Sequence, residues 1–114
     1  MQLINKALVQ EQLDRYANED LYLHMELTMG AYAAHNDSSK HPASNFIKNI
    51  PVQYSKGTIE GDTYYRVGLK INDGWVYTEG LTHWEENEEG RVLLAGHDAE
   101  GRLIVSLLLS RTLF

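Results

Sequence analysis

The chain contains no cysteine and only two prolines among its 114 residues. The lack of cysteine excludes disulfides, thiolate nucleophiles and cysteine-bound zinc, but it does not identify a redox compartment. Basic residues are also few: ten Lys and Arg stand against sixteen Asp and Glu, which gives a formal net charge of −6. Because a negative field opposes the phosphate backbone and no Lys/Arg run overrides it locally, we expect no nucleic-acid partner.

Long apolar segments are missing as well. The nearest approach, residues 103–109, is much shorter than the roughly 20 residues of a membrane helix, so we expect no membrane span. Residues 1–14 lack the basic start and continuous apolar segment of a secretory signal, which predicts a cytoplasmic protein. The length fits a single domain, residues 1–114, that buries about 65% of its unfolded surface. Common nucleotide-binding and hydrolase motifs are absent, so those chemistries are disfavoured.

The periodicity of apolar residues predicts one helix followed by strands. Residues 5–18 place Val9, Leu13 and Tyr16 on one stripe with Ala17, and Asn5 is suited to cap the helix start. From residue 21 apolar and polar side chains alternate, which is typical of a half-buried strand. Residues 36–44 are rich in turn formers and predict a loop.

The rest of the chain predicts further strands. Residues 46–59 contain Pro51 and favour an edge strand or two short strands. Four more strands are predicted at residues 64–71, 75–85, 91–97 and 102–110, joined by turns without helices between them. This spacing indicates an antiparallel meander that builds a mainly β sandwich or partly closed barrel, with strands from about residue 21 to 110 and the N-terminal helix over one open edge or end.

A metal site is one interpretation of the first strand. If Met29 and Gly30 form a hairpin loop, His24 faces His35 and Glu26 lies beside them. Two imidazoles and a carboxylate suit a divalent metal with open coordination positions. The alternatives are a solvated or interface face held by one side-chain hydrogen bond, and a His–Glu pair that acts as a general base.

A ligand groove is the interpretation of the aromatic strand. Trp75 and Tyr77 share one strand face with Glu79, which suits a ligand groove or a subunit interface as well as a core. His97 ends a strand beside Asp98, whose common role in a Gly-containing turn is to bond its own backbone. Trp75, Tyr77 and His97 are our candidate ligand-binding residues, and a homodimer is expected. His41 and His83 are interpreted as structural.

Three segments carry a resemblance to a known family. They are residues 64–82, YYRVGLKINDGWVYTEGLT; residues 93–110, LLAGHDAEGRLIVSLLLS; and residues 21–35, LYLHMELTMGAYAAH. The chain resembles the YojF-like family of small bacterial proteins from about Leu13 to Ser110. The resemblance implies a mainly β distorted sandwich and no established activity. It also implies a protein partner, because members are often encoded beside a zinc-dependent deacetylase related to the sugar deacetylases of bacillithiol synthesis.

These observations favour a cytoplasmic binding or accessory domain without its own catalysis and without a cofactor. The resemblance adds a possible place near low-molecular-weight thiol metabolism, with the deacetylase as partner. The competing hypothesis is a small metal-dependent enzyme that uses His24, Glu26 and His35 with a divalent metal. Whether the chain is an enzyme is left open by the sequence.

Overall fold

The computed structural model describes residues 1–28, 36–39, 41–86 and 88–114. In these ranges the chain forms one α-helix and nine β-strands. The elements are β1 (Gln2–Leu3), α1 (Lys6–Tyr16), β2 (Leu21–Leu27), β3 (Asn45–Val52), β4 (Lys56–Gly61), β5 (Tyr65–Ile71), β6 (Gly74–Leu81), β7 (His83–Glu85), β8 (Arg91–His97) and β9 (Leu103–Ser110).

The helix forms where the apolar stripe predicts it. Asn5 is the N-cap, and its side chain accepts a hydrogen bond from the Leu8 N–H at 3.2 Å, which satisfies one of the free donors at the helix start. Val9, Leu13 and Tyr16 are buried, as the stripe predicts, and Gln12 is buried with them. Ala17 is the C-cap and is only partly buried, so the helix is a little shorter than the expected residues 5–18.

The described strands form two antiparallel sheets. A six-stranded sheet has the order β1-β7-β8-β9-β2-β3, and a three-stranded sheet has the order β4-β5-β6. The meander is confirmed, because β4, β5 and β6 pair consecutively, as do β7, β8 and β9. Residues 46–59 are divided between the sheets: β3 is at the edge of the larger sheet and β4 at the edge of the smaller one. The architecture is a distorted sandwich, as expected.

The predicted strand at residues 75–85 passes from one sheet to the other. It comprises β6 and β7, and the chain bends between Gly80, whose φ of +91° is unfavourable for other residues, and Thr82. The sheets come very close here, since a Cβ at Gly96 in β8 would be 2.1 Å from the Gly80 carbonyl oxygen. Glycine at position 96 therefore permits the larger sheet to approach the crossing strand.

The core lies between the two sheets and under the helix. Alternate residues of most strands face inward, and the largest fully buried side chains come from both sheets, α1 and the connection between β3 and β4: Leu13, Leu21, Tyr54, Leu69, Leu81, Leu94, Leu107 and Leu109. Helix α1 covers the β4 edge of the smaller sheet, where the Gln10 side chain donates to the Gly57 carbonyl and accepts from the Ile59 N–H. Among the described residues no helix is long and apolar enough to cross a membrane.

Candidate functional site

A pocket of about 300 Å³ opens between the two sheets. Its walls come from β2, β3 and β9 of the larger sheet and from β6 of the smaller one; the lining residues are Met25, Glu26, Leu27, Asn45, Ile47, Tyr77, Thr78, Glu79 and Val105. Most of this lining is apolar, with the Glu26 and Glu79 carboxylates as its charged groups. A concave apolar surface with a few polar groups is the usual form of a ligand or anchor site.

Thr78 is the buried polar residue of this pocket. Its side chain is only 4% exposed, and its Oγ1 has no hydrogen-bond partner among the described residues. An unsatisfied buried hydroxyl is unfavourable by about 1–3 kcal/mol. The alternation of β6 places Thr78 beside inward-facing Val76, but the sequence gives no sign that the larger sheet leaves space opposite it.

Trp75 and Tyr77 form a stacked pair on the outer face of β6. Their ring centroids are 5.6 Å apart and their planes differ by 11°. The Arg66 guanidinium lies 5.5 Å from the Tyr77 centroid and 3.4 Å from a Glu79 carboxylate oxygen. The prediction that Trp75 and Tyr77 share a face with Glu79 is confirmed. Tyr77 connects this exposed aromatic face to the pocket.

The edge strand β3 exposes an unusual number of apolar side chains. Phe46 is 58% exposed, Ile47 39% and Ile50 49%, and Leu27 of the adjacent β2 is 40% exposed. We call these four residues the β3 edge surface. Leu27 and Ile47 also line the pocket, so this part of the surface is continuous with it. Phe46 is paired with Glu26 and points to the other face of the sheet. Pro51 marks the edge position of this strand, as the sequence predicts.

His24 and Glu26 are in β2. Strand β2 pairs with β3 along one edge and with β9 along the other, so the neighbours of Glu26 are Phe46 and Ser106. The hairpin considered for them runs through residues 29–35, which lie outside the described residues. His35 lies outside the described residues, so the site of His24, Glu26 and His35 stays a prediction. Within the described ranges, no group of three or more His, Cys, Asp or Glu could hold a metal.

His24 has a partly unsatisfied ring. It is half-buried on the face of β2 that points away from the core. The centroids of the His24 and Phe114 rings are 5.6 Å apart. Its Nδ1 is buried and has no hydrogen-bond partner in the described part of the chain. The main chain of Phe114 is held by Asn49, whose side chain accepts from the Phe114 N–H at 2.9 Å. The C-terminal residue thus covers one side of the imidazole.

His97 is in the larger sheet, whereas Trp75 and Tyr77 are in the smaller one. It does not line the inter-sheet pocket; its ring contacts His83 of β7, with the two Nδ1 atoms 3.2 Å apart. Its neighbour Asp98 has the predicted turn role, because one carboxylate oxygen accepts from the N–H groups of Glu100 and Arg102. These backbone bonds, above all that from Arg102, lower the pKa of Asp98.

The comparisons with known proteins agree along nearly the whole chain. Residues 3–114 match a family model described as "Protein of unknown function (DUF1806)". The chain is 43% identical over 114 residues to "Uncharacterized protein YojF" of Bacillus subtilis (strain 168), covering all of this chain and 98% of that protein. It is also similar to the crystal structure of the Bacillus subtilis YojF protein, with a TM-score of 0.79 and 38% identity over 99% of this chain and 95% of that one. The chain belongs to the DUF1806 family.

Proposed function

We propose that the chain is a binding domain without its own catalysis, and that it binds a protein partner through the β3 edge surface and the adjoining pocket. The observation that carries this proposal is the continuity of the exposed apolar side chains of Leu27 and Ile47 with the pocket bordered by Tyr77. Exposed apolar side chains that form a continuous surface are typical of interaction sites.

The edge of β3 supports recognition of an extended segment. Among the described strands it has a neighbour on one side only, β2. A peptide that adds to an edge gains main-chain hydrogen bonds, while pockets for alternate side chains supply specificity. The pocket beside Ile47 has room for one large side chain.

The resemblance to the YojF-like family supports a choice of partner. We propose the zinc-dependent deacetylase of bacillithiol metabolism as the protein bound, which makes this chain a cytoplasmic accessory protein of low-molecular-weight thiol metabolism. A homodimer through the same surface is the related possibility, because an apolar edge strand can also pair with a second copy.

The test is a binding measurement between purified chain and purified deacetylase by isothermal titration calorimetry. We expect Phe46→Ser and Ile47→Ser each to weaken binding by about tenfold or more, which corresponds to about 1.4 kcal/mol. Leu113→Ser is the matched control, since Leu113 is 61% exposed but lies outside the surface. No binding, or equal weakening by all three variants, contradicts the proposal. Turnover of substrates by the isolated chain contradicts its non-catalytic part.

Light scattering distinguishes the two occupants of the surface. A dimer that dissociates on Phe46→Ser indicates that a second copy covers the β3 edge surface. A monomer that binds the deacetylase indicates a heterologous partner.

The second candidate function is a small metal-dependent enzyme that uses His24, Glu26 and His35. The observation in its favour is the buried His24 Nδ1 without a partner among the described residues, since such an atom is suited to bind a metal. Elemental analysis of untagged, unchelated protein and of its His24→Ala variant tests it. Near-stoichiometric metal that is lost in the variant supports the enzyme, and equal metal content in both proteins excludes His24 as a ligand.

A further inference from the structure

Two histidines converge in the larger sheet, away from the pocket. His83 lies on β7 and His97 at the end of β8, and their Nδ1 atoms are 3.2 Å apart. The ring centroids are 4.8 Å apart and the ring planes differ by 69°. If each Nδ1 atom lay on the line that joins the two ring centroids, the centroid distance would be the 3.2 Å contact plus one ring radius at each end. The observed 4.8 Å is shorter, so the nitrogens are tilted away from the line that joins them.

A hydrogen bond between the imidazoles is at the long end of the usual range. A good N–H donor lies close to 2.9–3.0 Å from its acceptor and points along the line between them. Here the contact is longer and the rings are tilted. The His83 Nδ1 atom is in addition 2.7 Å from the Thr82 hydroxyl, so two polar atoms compete for a nitrogen that offers one proton or one lone pair.

The distance between the two nitrogens is similar to that between two ligands of one metal ion. With metal–nitrogen distances of about 2.0–2.1 Å, two nitrogens of a tetrahedral zinc site are about 3.3–3.4 Å apart. The 3.2 Å between the two Nδ1 atoms is close to this value. The Thr82 hydroxyl borders the same position and adds an oxygen to the two nitrogens.

Backbone hydrogen bonds fix the two histidines near the bend where the chain passes from β6 to β7. The Thr82 N–H donates to the Ala95 carbonyl at 2.9 Å, and the His97 N–H donates to the Thr82 hydroxyl at 3.1 Å. Both histidines are therefore tied to the same threonine. Metal ligands fixed by such neighbours lose little conformational freedom on binding.

Metal ligation requires the neutral form of an imidazole. Burial lowers the pKa of His83, and His97 and the N-terminal ammonium lower it further.

We propose that His83 and His97 bind a divalent first-row metal ion of the zinc type through their Nδ1 atoms. Imidazole nitrogen suits Zn²⁺, Co²⁺, Ni²⁺ and Cu²⁺, which identifies the class of ion. Since the described residues provide no third His, Cys, Asp or Glu for such a group, the remaining coordination positions are open to water or to an external ligand. This site is independent of the proposed binding surface and of His24.

The test is titration of metal-free protein with Co²⁺ and Zn²⁺, followed by visible absorption for Co²⁺ and by the imidazole resonances of the histidines for Zn²⁺. We expect saturation at one ion per chain, with the resonances of His83 and His97 the most strongly shifted. His83→Asn and His97→Asn should each abolish saturation, because asparagine keeps a polar group without the ring nitrogen. His41→Asn is the matched control and should bind as the wild type does.

The proposal is overturned by no saturable binding of either ion by the wild-type chain, or by wild-type binding in both His83→Asn and His97→Asn. Binding that is lost only in His24→Asn also overturns it and assigns the ion to the other strand. If a variant fails to fold, as judged by circular dichroism, the imidazole resonances of the wild type decide the question. Zn²⁺ must then shift His83 and His97 and leave His24 and His41 unchanged.

Discussion

The contact between Tyr77 and Gly68 offers a direct test of how the aromatic face is built. The two residues are directly opposite in the β5–β6 pair, and a Cβ at position 68 would be 2.7 Å from Tyr77 Cε1. The ring therefore lies across the glycine. Gly68→Ala should tilt the ring away, because the end of an exposed side chain moves more easily than a paired strand.

The expected free energies follow from the contacts that the ring would lose. The stack on Trp75 contributes about 0.5–1.5 kcal/mol, and the cation–π contact with Arg66 about 0.5–1 kcal/mol at an exposed site. Replacing glycine by alanine in a strand interior stabilises the folded state by roughly 0.5–1 kcal/mol, because alanine loses less backbone entropy on folding. Gly68→Ala should thus destabilise the wild type by about 0.5–1.5 kcal/mol.

The sign should reverse when the ring is absent. In a Tyr77→Ala background the clash is gone, and Gly68→Ala should stabilise the protein by roughly 0.5–1 kcal/mol. Urea denaturation of the wild type, both single variants and the double variant measures this coupling. If Gly68→Ala destabilises both backgrounds equally, the Tyr77 ring is not the obstacle and the packing argument is wrong.

Three further predictions concern the scaffold. Burial raises the pKa of Tyr54, so the folded state keeps a proton that the unfolded state loses above about pH 10. The free energy of unfolding should therefore fall above that pH by up to about 1.4 kcal/mol per pH unit. Tyr54→Phe should remove this fall in alkaline denaturation curves and should cost about 0.5–1.5 kcal/mol at neutral pH, because the Leu13 carbonyl loses its hydrogen bond. Gly96→Ala should destabilise the folded chain by about 3 kcal/mol or more, or prevent folding, because the new methyl group would clash with the rigid Gly80 carbonyl. Circular dichroism and a melting curve measure this effect. A loss of stability below about 1 kcal/mol contradicts the close approach of the two strands. Asn5→Ala should cost about 1 kcal/mol in urea denaturation, and an unchanged midpoint contradicts its role as the helix cap.

The helix and most strands were predictable because their signals are local. The stripe of Val9, Leu13 and Tyr16 and the capping residue Asn5 lie within a few turns of one another. The alternation in β2 and the turn at residues 72–73 act over similarly short distances. The division of residues 75–85 between two sheets was not predicted, since it depends on where the second sheet lies.

Pairing between distant strands was the part that the sequence could not determine. Met29 and Gly30, after β2, suggested a short hairpin. Strand β2 pairs with β3 and β9, which come from farther along the chain. Nothing in the apolar alternation of β2 distinguishes these partners from a neighbouring segment, because one inward face suits any of them. The pocket depends on the same distant pairing, so Thr78 and Ile47 could not be recognised as its lining.

The histidine pair shows why register limits the prediction of sites. His83 is opposite Ala95 in the β7–β8 pair, and His97 reaches it only diagonally, next to an irregularity that falls between Gly96 and His97 where β8 pairs with β9. A shift of one residue across the connection at 86–90 would turn one of the two side chains to the other face of the sheet. The sequence therefore offered His83 as a strand residue and His97 as a turn neighbour, and only the register of three strands makes them partners.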